Sequence, residues 1–217
     1  MSATLVHSFD GIASRIDATG ARSVGFTSTL AGEGTSTIAL GTALALAELR
    51  QEKVLLVDAN WIHPSLTSDA RRESAPGLAD YLARKADLTT AVRSVERSRL
   101  DFLPVGDREA ARPTLRGLAS LLANDVTHFQ TVLIDLPPVL TGEMYVLPWA
   151  TLLDHLFVVL REAATPLPLV RQALGKIGLA TPEIILNRTA AATPELATSL
   201  VAAYRRLALA TRRSRSS

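Results

Sequence analysis

The segment Ser28-Thr29-Leu30-Ala31-Gly32-Glu33-Gly34-Thr35-Ser36-Thr37 sets two glycines before three consecutive hydroxyl residues. Gly32 and Gly34 let backbone approach an anion with no Cβ in the way. Successive N–H groups at the start of a helix form a nest, and the helix dipole adds about half a positive charge. A hydroxyl at Ser36 stands where such a loop ligates Mg²⁺. The chemistry indicated is phosphate binding, with Gly32, Glu33, Gly34, Thr35, Ser36 and Thr37 as the contacts. The residue before that serine is ordinarily lysine, whose ammonium reaches the β- and γ-phosphates. Here it is Thr35, which is uncharged and too short. One preorganised donor on developing charge is worth roughly 3–4 kcal/mol, and a full cation should matter at least as much. Taken alone, Gly-Glu-Gly-Thr-Ser-Thr also reads as a turn followed by a helix N-cap.

The chain has three lysines, Lys53, Lys85 and Lys176, and none precedes the loop. Lys53 opens the next apolar run and Arg22 the previous one, so both fall at the end remote from the phosphates. Arg71, Arg72 or a residue from another subunit are the remaining sources of a cation.

Two more acids bear on this site. Lys53 to Asp58 (KVLLVD) and Thr131 to Asp135 (TVLID) are apolar runs that each end in aspartate. If both are parallel strands, Asp58 and Asp135 arrive at the carboxyl edge of the sheet beside Ser28, where such sheets bind ligands. The alternative is that strand-end aspartates cap helices or face solvent.

The elements that position these residues alternate. Strands are expected at Ser23–Ser28, Lys53–Asp58, Leu100–Val105, Thr131–Asp135, His155–Leu160 and Glu183–Asn187. Helices are expected at Ser36–Arg50, Leu115–Asn124, Pro166–Leu179 and Pro194–Ala210. Strands that are apolar throughout suit a parallel sheet covered on both faces. The alternation indicates right-handed βαβ units. Asp69–Pro76 and Gly106–Pro113 read as polar loops, the second exposed.

At this point the chain resembles a known family. The order GFTSTLAGEGTST, VLLVDANWIHPSL, GLADYL, VLIDLPPVL and IILNR is similar to the cytoplasmic module of bacterial tyrosine kinases of polysaccharide synthesis, close to MinD and ParA ATPases. The resemblance runs from about Ser23 to Arg188. It implies an α/β P-loop NTPase fold with a mainly parallel sheet of seven or eight strands and helices on both faces. It also implies ATP or ADP with Mg²⁺, a role in making or exporting extracellular polysaccharide or capsule, and a membrane-spanning chain-length regulator as partner. Carried over, Asp58 is the catalytic acid that polarises the attacking hydroxyl and helps to hold the metal. Asp135 binds the metal through water, Pro137 and Pro138 form the rigid turn after it, and Asn187 contacts adenine. Trp61 and His63 are read as packing residues of their loop.

The departures from the family pattern point one way. Besides Thr35, Asn60 stands where a second acid is usual, and it cannot act as a carboxylate. Ile62-His63 replaces an arginine pair. The ring-assembly pattern Glu-x-x-Arg-x-x-Arg is absent from His7–Ala13. In place of a terminal tyrosine cluster there is Tyr204 alone. The expectation is a pseudokinase with a vestigial Asp58, weak or no nucleotide binding, and a regulatory or scaffolding role. The alternatives are an active tyrosine kinase or ATPase with a compensating cation, and a MinD/ParA-like positioning protein. The last is disfavoured because Thr29 and Leu30 stand where that group carries a second lysine.

The bulk numbers agree with one domain, residues 1–217, of which 47% are hydrophobic. There is no cysteine, which excludes disulfides, thiolate metal sites and cysteine nucleophiles. Met1–Asp10 lacks a basic segment followed by an apolar run, and no apolar stretch approaches the roughly 18 residues of a membrane helix. The expectation is a cytoplasmic chain brought to the inner membrane by its partner, as a homo- or hetero-oligomer. Residues 205–217 carry five arginines and no acid, against 18 basic and 21 acidic residues before them. They read as a flexible basic tail. No aromatic platform accompanies the arginines, so nucleic acid is not the expected partner.

Overall fold

A computed structural model of the chain describes residues 3–96, 98–178, 183–187, 194–209 and 211–212. Its helices are α1 (Ala3–Thr19), α2 (Thr35–Leu49), α3 (Ser65–Asp69), α4 (Leu78–Leu82), α5 (Leu88–Ala91), α6 (Leu115–Ser120), α7 (Val139–Ala150), α8 (Leu167–Ile177) and α9 (Pro194–Leu209). Its strands are β1 (Ser23–Ser28), β2 (Val54–Asp58), β3 (Arg93–Ser94), β4 (Leu100–Leu103), β5 (Thr131–Asp135), β6 (His155–Arg161), β7 (Glu183–Asn187) and β8 (Thr211–Arg212). They form one sheet in the order β7-β6-β1-β5-β2-β4-β3-β8. Pairings from β7 to β4 are parallel, and β3 and β8 are antiparallel additions at one edge.

Two apolar cores cover the sheet. One gathers Val24, Phe26, Leu56 and Phe157 with α1, α2 and α9. The other gathers Leu55, Val57, Ile134 and Leu136 with α4, α6, α7 and α8. This is why β1, β2 and β5 carry apolar or small residues in their interiors on both faces and do not alternate with exposed polar ones: every position is buried. α2 is apolar nearly all round for the same reason, lying between the sheet and α1. Gly41 permits that approach, since the Phe9 ring of α1 occupies the space where a Cβ would stand, 2.3 Å away. Arg50, just beyond α2, ties α1 down through Asp10 and Asp17, each at 3.0 Å, and Ser14.

The expected parallel α/β architecture is present. Several elements are additional to the sequence reading: α1, α3, α4, α5, α7, β3 and β8. The helix expected over Leu115–Asn124 is α6 followed by a π-turn over Leu121–Asp125. The basic stretch expected as a flexible tail begins inside α9, where Arg206 pairs with Glu48. Thr211–Arg212 then pair with β3, and residues 213–217 lie outside the described residues. No described helix is long and apolar enough to cross a membrane.

Candidate functional site

The loop between β1 and α2 turns on two glycines. Gly32 has φ +81° and Gly34 φ +90°, left-handed values that other L-residues rarely adopt. Around Gly32 the Cβ position is open space, whereas at Gly34 it lies 2.3 Å from the Asn187 side-chain nitrogen. Asn187 Nδ2 donates to the Glu33 carbonyl at 2.9 Å. Its amide is therefore engaged on the loop, and Asn187 is not among the residues that line the cavity in front of it.

Glu33, expected among the loop contacts, directs its side chain away from the cavity. An acid in an anion-binding loop must turn away from the anion, and Glu33 does. It is buried, and Oε2 accepts from the Thr29 and Leu30 N–H groups at 2.8 Å each. Oε1 accepts from Arg161 N at 3.3 Å and from the Thr165 hydroxyl. The carboxylate thus folds the loop back onto the end of β6.

In front of the loop is a cavity of about 330 Å³. Gly32, Gly34, Thr35, Ser36 and Thr37 line one side, and Asn60, Ile62, His63, Ser65 and Asp69 the other. Leu136, Pro138 and Thr141 complete it. Every loop contact expected from the sequence lines it except Glu33. Neither lysine nor arginine does, among the described residues. Lys53 stacks over Phe129 at 5.4 Å, Lys85 lies 3.9 Å from Asp107, and Lys176 pairs with Glu143. Arg72 reaches the Ala208 carbonyl, 2.7 Å away.

Below the cavity Asp58 and Asp135 are partners in the parallel β2–β5 register, and both are fully buried. Asp58 is well supported. Its Oδ1 accepts from Asn60 N at 3.1 Å, and its Oδ2 accepts from the Thr67 N–H and hydroxyl at 2.8 Å each. Burial still pushes its carboxyl up to about 6, against those bonds and the charge of Arg108. Neither oxygen of Asp135 has a hydrogen-bond partner among the described residues. Burial first, and then the neighbouring Asp58 charge, hold its carboxyl well above the usual range; the nearby Ser36 hydroxyl pulls the other way without reaching hydrogen-bond geometry to either oxygen. Ser36 in turn accepts from the Ser65 hydroxyl at 2.8 Å.

Two buried carboxylates, one with both oxygens unpartnered, beside a cavity-lining hydroxyl fit a divalent cation. Ser36, Asp58 and Asp135 would hold it, and it would offset their charge and draw in phosphate oxygens. No group of three or more acidic, histidine or cysteine side chains gathers among the described residues. The remaining ligands would therefore be water and phosphate, as Mg²⁺ prefers.

The opposite wall is a loop built from Asp58 upward. The Asn60 side chain accepts from Ile62 N at 3.2 Å and His63 N at 2.9 Å. Arg108 donates to the carbonyls of Trp61 at 2.7 Å and Ile62 at 3.3 Å. Trp61 is buried and stacks on Tyr145 as the packing residue expected, but His63 lines the cavity. Arg108, Thr67 and Ser65 were not singled out from the sequence. Arg108 comes from a loop read only as charged and exposed, and nothing local signals where it reaches. Pro137 and Pro138 form the turn expected, fixed by the Thr27 hydroxyl donating to Pro137 O at 2.7 Å.

The fold and this site define a P-loop NTPase fold of the MinD/ParA type. The septum site-determining protein MinD from Pyrococcus horikoshii, complexed with Mg-ADP, shares the fold at a TM-score of 0.58 and 23% identity, over 82% of this chain and 76% of that one. Tyrosine kinases are found among both the sequence relatives and the more similar structures. The chain is 30% identical to the tyrosine-protein kinase YwqD of Bacillus subtilis over 122 residues, 55% of this chain and 51% of the relative. It is 29% identical to the succinoglycan biosynthesis transport protein ExoP of Rhizobium meliloti over 180 residues, 77% of this chain and 22% of ExoP. The chain thus spans about half of one relative and under a quarter of the other. The kinase domain of VpsO superposes with a TM-score of 0.72 at 28% identity, over 85% of this chain and 94% of that domain. No family model matches the chain.

Proposed function

We propose that this protein is a pseudokinase of the bacterial tyrosine kinase class, which binds an adenine nucleotide with Mg²⁺ weakly and does not transfer its phosphate. Its role is to regulate or scaffold the making or export of an extracellular polysaccharide, with a membrane-spanning chain-length regulator as partner. The relatives support the polysaccharide role and the class. The observation that carries the loss of transfer is the cavity wall: loop glycines, Ser36 and the two acids are kept, while Thr35 stands at the lysine position and no lysine or arginine lines the space among the described residues. Without a lysine or arginine aimed at the phosphates, the charge that develops in transfer has no permanent protein counter-charge beyond the metal.

The test is incubation of the full chain with Mg-ATP radiolabelled on the γ-phosphate. Release or incorporation of label no higher than in Asp58→Ala is expected. Mg²⁺-dependent turnover that Asp58→Ala abolishes would overturn the reading. Such turnover would favour the second reading, an active kinase or ATPase with a displaced cation, for which His63 at the cavity is the supporting observation.

A further inference from the structure

We infer that His63 is the phosphate-binding cation of this site, supplying as an imidazolium the ground-state charge that Thr35 cannot. The inference rests on the nucleotide-binding half of the reading above and is independent of whether the phosphate is transferred.

The cavity lining selects the residue. Of the described side chains around it, His63 is the one that can carry positive charge, and Asp69 is the other ionisable group. The charge of His63 acts on Asp69, whose carboxyl burial raises and His63 lowers. His63 is also held in place. Asn60 caps its N–H, Arg108 grips the two preceding carbonyls, and Ser65 N donates to its own carbonyl at 2.8 Å. Ser65 then bonds Ser36, so the histidine's backbone is tied to the metal-side hydroxyl of the phosphate loop. Asn60 cannot act as an acid; here its amide oxygen is the acceptor that shapes the turn ending at His63.

An imidazolium facing a phosphate forms a charge-assisted hydrogen bond, stronger than a neutral one. A nucleoside diphosphate carries the charge such a group would recognise. Binding should therefore weaken as pH rises through the range in which imidazole loses its proton. The other groups that respond are Asp69 on the same wall and Asp58 and Asp135 beneath the cavity, with Arg108 as the fixed charge behind the loop. Deprotonation of the three acids also weakens anion binding, so the histidine's share has to be isolated by substitution.

The experiment is titration of ADP, without metal, into the full chain by calorimetry at about pH 6 and about pH 8. The proteins compared are the parent, His63→Ala, His63→Arg and Asp69→Asn. His63 is exposed, so both of its variants are expected to fold. In the parent, affinity should fall several-fold more between the two pH values than in His63→Arg, whose residual slope reports the carboxylates alone. His63→Ala should lose about tenfold or more at pH 6 and little at pH 8. His63→Arg should match or exceed the parent at both, and Asp69→Asn should bind a few-fold tighter. Equal affinities and equal slopes for parent, His63→Ala and His63→Arg would overturn the role of His63 while leaving nucleotide binding intact. Absence of ADP binding to the parent and to His63→Arg, with and without Mg²⁺, would overturn both.

Discussion

Asp58 and Asp135 end adjacent parallel strands in register, fully buried, with both oxygens of Asp135 lacking a hydrogen-bond partner among the described residues. Like charges this close raise each other's resistance to ionisation. Both carboxyls are raised above their unfolded range, Asp58 to about 6. A raised carboxyl stabilises the fold while protonated. That contribution is complete below the unfolded value of about 4 and is lost as pH rises through the folded one. Asp135→Asn removes one of the two charges. It is expected to make the metal-free protein more stable than the parent above about pH 6, by on the order of 1–3 kcal/mol. It should also abolish any rise in Tm caused by Mg²⁺. Urea melts at about pH 5 and pH 8 check this: the advantage of the variant should grow with pH, and a pH-independent difference would count against a buried charged pair.

Glu33 acts as a strut of the phosphate loop. Replacing it by alanine leaves the N–H groups of Thr29 and Leu30 without their acceptor, and Thr29 is fully buried. Each such stranded donor costs about 1–3 kcal/mol, so Glu33→Ala is expected to destabilise by about 2–4 kcal/mol, with Glu33→Gln between it and the parent. Chemical denaturation measures it. A loss under about 0.5 kcal/mol would mean that the loop holds its shape by other means.

Gly34 and Asn187 compete for one volume. Gly34→Ala meets a left-handed φ and the Asn187 side chain together, at an expected cost of about 2 kcal/mol or more. Asn187→Ala removes the collision and leaves the backbone strain. In a double-mutant cycle the pair should couple by about 1 kcal/mol, Gly34→Ala being milder in the Asn187→Ala background. Additive effects would contradict the contact.

Arg108 fastens the 59–63 loop from outside. Arg108→Ala is expected to speed hydrogen exchange at Ile62 and His63, while changing global stability by only about 1 kcal/mol. Exchange that accelerates uniformly along the chain would instead make Arg108 a general stability residue.

What was legible in the sequence follows from how local each signal is. The continuous apolar runs ending in Asp58 and Asp135, and the glycines before Ser36, carry their meaning in neighbouring residues, and the structure brings all of them to one edge. α1 was not read as an element because Asp10 and Gly11 interrupt it; packing of Phe9 over Gly41 and the Arg50 ion pairs hold it. α7 was missed because Pro148 and Gly142 lie inside it, and its amphipathic pattern is broken accordingly. The turn of the Glu33 side chain away from the cavity was readable in principle, since an acid facing phosphate is unfavourable. The Asn187 contact and the reach of Arg108 join residues far apart in sequence, and no local pattern encodes them. His63 read as packing because its orientation depends on Asn60, Arg108 and Ser65 together.

The most direct test of a phosphate site without transfer chemistry pairs a Mg-ADP titration with a Mg-ATP turnover assay, on the parent and on Thr35→Lys. The parent should bind weakly and turn over nothing above background. Thr35→Lys, which places an ammonium in the cavity that Thr35 lines, should bind about tenfold to a hundredfold tighter. Turnover of Mg-ATP by the parent that Thr35→Lys does not increase would contradict the account.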